Sequence, residues 1–79
     1  MSETIIQTAE EGLEYLDRLA PTGDAFTLPI SNSMTFAGKV DHIGAGMAVL
    51  LDKILGMGFE PDGFDEKEGF SIYRYKKME

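Results

Sequence analysis

The chain has no cysteine, no tryptophan and a single histidine, His42. It has half as many basic as acidic side chains, 7 against 14. The absence of cysteine excludes disulfides, thiolate zinc sites, iron–sulfur clusters and thiol catalysis. One histidine disfavours an imidazole-based metal centre, so neither metal nor cofactor is expected. No apolar run approaches the roughly 18 residues that span a bilayer. The opening MSETIIQTAEEG has no basic region followed by a long apolar stretch, so no secretory leader is expected and the cytoplasm is the default compartment.

The composition is that of a folded protein: 43% hydrophobic and 27% charged, near globular averages. Seventy-nine residues make one domain, 1–79. A chain this short buries only about 60–65% of its unfolded surface. Oligomerisation is the stabiliser that its composition leaves open.

The net charge of −7 disfavours direct binding to nucleic-acid phosphates or anionic membranes, where cationic contacts supply the affinity. A basic protein is the complementary partner. The plainer alternative is charge that serves solubility. The charge is also uneven. Residues 1–66 hold twelve acids and three bases, whereas residues 67–79 hold four bases and two acids. The basic end can therefore pair with acids of its own fold.

Residues 3–7 have room for a short strand. Thr8-Ala9-Glu10-Glu11 fits a capping box. It opens an amphipathic helix with Ala9, Leu13, Leu16 and Ala20 on one face and an i,i+4 pair, Glu14 and Arg18, on the other. Pro21 ends it. Alternation in AFTLPI and MTFAGKV predicts a hairpin over 25–40 that turns at Ser31-Asn32-Ser33. Pro29 marks its first strand as an edge, or as bonded on one side at that point. Asp41 is the expected N-cap of a second helix, about 42–55. That helix is apolar around most of its circumference, so it is expected to be covered on more than one side. Its small residues Gly44, Ala45, Gly46 and Ala48 invite a close backbone, and a homodimer through this helix is the expected assembly. Gly56 or Gly58 closes it. Strands over 58–64 and 70–77, joined by DEKEG, complete the chain.

The expected fold is α+β: a two-layer sandwich with an antiparallel four-stranded sheet and two helices, in the order α-β-β-α-β-β with a short strand allowed first. A rival parse leaves 31–40 as loop and gives β-α-β-α-β-β. That order resembles small sulfur-carrier domains. Their Cys-Pro pair at the start of the first helix is replaced by Thr8-Ala9, so their function does not carry over.

The stretch GFEPDGFDEKEGF concentrates carboxylates: Glu60, Asp62, Asp65, Glu66 and Glu68. An EF-hand loop needs D-x-[DN]-x-[DN]-G-x5-E, which these residues do not supply. They read either as a solvated turn or as an acidic face for a partner. Glu10, Glu14 and Asp17 of the first helix could extend that face, and acids at phosphate-like spacing would mimic nucleic acid before a basic cleft. A second candidate is GKVDHIGAG, with Lys39, His42, Gly44 and Gly46 around a helix start able to hold an anion. It is neither a Walker A loop nor G-x-G-x-x-G. YRYKK at 73–77 interleaves aromatics and bases, which also protects a strand edge. The expectation is a small non-enzymatic inhibitor or adaptor that presents carboxylates to a basic protein. The alternative is a small-ligand or enzyme-accessory domain built on the Gly-rich helix start.

Overall fold

The computed structural model describes residues 5–19, 21, 23–40 and 44–79. Two helices pack on one face of a five-stranded mixed sheet. The elements are β1 (Ile6–Thr8), α1 (Ala9–Leu19), β2 (Ala25–Phe36), β3 (Lys39–Val40), α2 (Ala45–Gly56), β4 (Phe59–Glu66) and β5 (Phe70–Lys77). The strand order is β1-β2-β5-β4, with β3 a short return on β2. The α+β class stands. The sheet differs from a four-stranded antiparallel one because β1 joins it parallel to β2, through the crossover helix α1 that a parallel pair requires.

Thr8 ends β1 and starts α1. Its Oγ1 accepts the N–H of Glu11 at 2.9 Å, satisfying one of the orphan donors of the first turn. Ala9, Gly12 and Leu16 form the buried face of α1, while Leu19 is exposed. Glu14 and Arg18 form no ion pair; α1 is tied instead to α2 by Asp17 and Lys53 at 2.7 Å.

Strand β2 does not turn at 31–33. It runs on to Phe36, and the hairpin turn is Ala37-Gly38, both at positive φ (54° and 80°). That is the backbone sign a two-residue turn needs to match strand twist. Ser31-Asn32-Ser33 is instead a bulge. Ile6 pairs with Ile30 and Thr8 with Thr35, so two steps on β1 span five on β2. Local hydrogen bonds hold the surplus. Ser31 Oγ accepts from Ser33 N, Asn32 N donates to the Gly69 carbonyl, and Ser71 Oγ donates to Asn32 Oδ1. β2 is an interior strand, not an edge. Pro29 fits because the β1 ladder begins only at Ile30.

Helix α2 begins later than Asp41 would set it. Its N-cap is Gly44, in the left-handed region at φ 76° and without a side-chain cap. Asp41, His42 and Ile43 lie outside the described residues. At the other end Gly58, at φ 91°, is the left-handed residue after the helix, and its N–H reaches the Leu55 carbonyl at 3.0 Å.

The core lies between the layers: Ile6, Ala9, Leu16, Leu28, Ile30, Met34, Leu50, Ile54, Phe59 and Tyr75. The two helices pack closely at Gly12 of α1, which faces Leu50 of α2. A Cβ there would stand 2.8 Å from Leu50 Cδ2 and 3.3 Å from Ile6 Cγ2. Phe26 stacks on Tyr75 at 5.3 Å and meets Phe59 edge-on at 5.0 Å, closing the end of the core nearest the β4 margin.

Candidate functional site: an apolar groove on an acidic margin

The acidic stretch is mostly strand. Glu60, Asp62, Asp65 and Glu66 lie on β4, an edge of the sheet, and only Glu68 belongs to the turn before β5. The register decides which carboxylates are occupied. Glu60 sits opposite Lys76 and pairs with it at 3.8 Å. Asp65 is opposite Ile72, diagonal to Arg74, and forms a hydrogen-bonded ion pair with that guanidinium. The hydrogen bond from Arg74 holds the Asp65 carboxyl below the usual range for an aspartate. The same contact raises Arg74. The basic end of the chain thus neutralises part of its own acidic stretch. Asp62, Glu66 and Glu68 are exposed and form no ion pair among the described residues.

The helix acids lie elsewhere. α1 packs over β1, β2 and α2, whereas β4 forms the opposite margin and packs against α2. Glu10 accepts the N–H of Ala37 at 2.9 Å and so braces the β2–β3 turn. Asp17 is engaged by Lys53, and Glu14 is exposed without an ion partner among the described residues. The two acidic sets stand on either side of α2 and do not merge into one strip. Of the Gly-rich candidate, Lys39 is exposed on β3, Gly44 caps α2 and Gly46 is buried in its first turn; His42 lies outside the described residues. Gly44 also lines a small cleft of ≈ 170 Å³ with Ser31, Asn32 and Met47. Among the described residues no group of three or more acidic or histidine side chains could hold a metal ion, and no helix is long and apolar enough to cross a membrane.

Between α2 and the β4–β5 hairpin runs a larger, mainly apolar groove of ≈ 350 Å³. Met47, Ala48 and Leu51 form one wall, Pro61 and Phe64 the other, and Tyr73 the floor. Phe64 stacks on Tyr73 at 5.3 Å yet remains 50% exposed. Sequence reading missed this groove, although a signal existed. Phe59 and Phe64 have opposite parity, so both can face the helices only if β4 holds an extra residue. The register does shift between Pro61 and Phe64, and Gly63, at φ 95°, sits in that bulge.

A Cβ on Gly63 would lie 2.8 Å from Arg74 Nη2. Gly63→Ala therefore combines an unfavourable backbone region with displacement of the guanidinium from Asp65. We expect a loss of about 1–2 kcal/mol, read by urea unfolding. Loss of less than about 0.3 kcal/mol would show that the bulge accepts a side chain.

Comparison with family models, with curated proteins and with solved structures finds no match to this chain.

Proposed function

We propose that the protein is a non-enzymatic interaction module, an inhibitor or adaptor that presents carboxylates to a basic protein partner. The observation that carries this is the surplus on the β4 margin: after Arg74 and Lys76 are taken by Asp65 and Glu60, exposed Asp62, Glu66 and Glu68 form no ion pair among the described residues. Such a margin attracts a basic surface and speeds its encounter. Mimicry of nucleic acid by both acidic sets acting together is less favoured, because α2 separates them. Self-association through α2 is a second reading, favoured by the exposure of Leu55 (42%) on that helix.

The test is capture from the source lysate at about 50 mM and about 500 mM salt, beside the variant Asp62→Asn/Glu66→Gln/Glu68→Gln. The expected partner is basic, is retained at low salt, and is lost both at high salt and in the variant. A partner held equally by the variant would sink the acidic reading.

A further inference from the structure

The groove between α2 and β4–β5 adds what charge alone lacks, a place for apolar side chains. We infer that it receives a basic amphipathic helix of the partner protein, whose apolar face fills the groove while lysine or arginine residues flank it. This rests on the acidic-module reading and names the shape of its partner. Charge complementarity selects this occupant. Asp52, on α2, follows the wall residue Ala48 by one turn, so it borders the helical wall. Asp62 lies between the lining residues Pro61 and Gly63, and Glu66 shares the parity of Phe64. All three are exposed and form no ion pair among the described residues. Arg74, the one cation among the described lining residues, is already held by Asp65. The stacked rings of Phe64 and Tyr73 offer a π face to an incoming cation.

Two other occupants fit less well. An added strand would have to bond along β4, where Pro61 has no N–H and the Gly63 bulge breaks the ladder. A second copy carries the same net −7, and a two-fold contact would place Asp52 and Asp62 against their own equivalents or near them.

The chain has no tryptophan, so a tryptophan-bearing peptide reports binding directly. The probe is a synthetic leucine–lysine amphipathic helix with one tryptophan on its apolar face. A scrambled peptide of the same composition and a leucine–glutamate helix are the comparisons. The leucine–lysine helix is expected to bind with a blue-shifted emission, at least about tenfold tighter than the scrambled peptide. The leucine–glutamate helix is expected not to bind. Phe64→Thr should weaken binding about tenfold, and so should Asp52→Asn/Asp62→Asn, which alters only exposed side chains and keeps the test open if Phe64→Thr unfolds. Equal binding of the scrambled peptide would overturn the groove and leave the acidic reading standing. Failure of both basic peptides would overturn both. A stable dimer in sedimentation velocity at micromolar concentration, dissociated by Phe64→Thr, would make a second copy the occupant and overturn the inference.

Discussion

Leu50→Ala is expected to cost about 3–4 kcal/mol. The side chain is fully buried on α2, and leucine-to-alanine changes in cores span about 2–5 kcal/mol according to how far the site can collapse. Collapse is limited here. The facing residue on α1 is Gly12, which has no side chain to move inward. A domain of this length has a total stability of roughly 4–12 kcal/mol, so one substitution removes about a quarter of it or more. Thermal unfolding followed by circular dichroism should show the midpoint fall by about 15 °C or more. The same geometry reverses the sign of a second change. In the wild type, Gly12→Ala drives a Cβ into both Leu50 methyls and is expected to destabilise. With Leu50 already truncated, the new methyl enters vacated space and gains about 1 kcal/mol of helix propensity. The double variant should therefore be more stable than Leu50→Ala alone. A double variant less stable than either single change would mean that Gly12 is needed for something other than room for Leu50.

Alkaline pH should weaken the fold through Tyr75. The residue is only 3% exposed, and burial pushes the phenol up to about 12, with the neighbouring Tyr73 adding to the shift. An unfolded tyrosine ionises near 10. The native state therefore keeps a proton that the unfolded state gives up. The contribution is complete below about pH 10 and is lost as pH rises toward 12, up to about 2–3 kcal/mol. Urea unfolding at intervals from pH 9 to 12 measures the slope. Tyr75→Phe keeps the ring on Phe26 and should flatten most of it. A slope unchanged by that substitution would assign the alkaline loss to other groups.

Local chemistry was legible at several positions, though not in the Glu14–Arg18 pairing or at the start of α2, which Gly44 caps. Thr8 caps α1, Gly58 closes α2, and β5 has the limits its alternation suggests. The larger failures came where a distant strand overrides a local signal. Ser31-Asn32-Ser33 has the composition of a turn, but the Gly69 carbonyl and the Ser71 hydroxyl hold it in a bulge that returns β2 to register with β1. Pro29 marks a gap in one ladder, and only the position of β1 shows that the gap lies inside the sheet. The acidic stretch was visible as composition. Which carboxylates remain unpaired depends on the Gly63 bulge, since without it Asp65 would face Ser71 and lose its diagonal relation to Arg74. The groove needed the same bulge, because it turns Phe64 toward the helices.

Ile30 opposite Ser71 joins segments far apart in the chain. Closing such a loop of about forty residues costs about 3 kcal/mol, whereas the five-residue step from Glu66 to Ser71 costs about 1.4 by the same scaling. The walls and floor of the groove all come from one consecutive stretch, Gly44 to Tyr75, joined by connections of two and three residues. The surface assigned to recognition is therefore local in sequence, while the entropic burden of folding falls on the pairing of β2 with β5 at the centre of the sheet. Order along the chain and order in time need not agree: the hairpin that frames the groove can form before the sheet that carries it has closed.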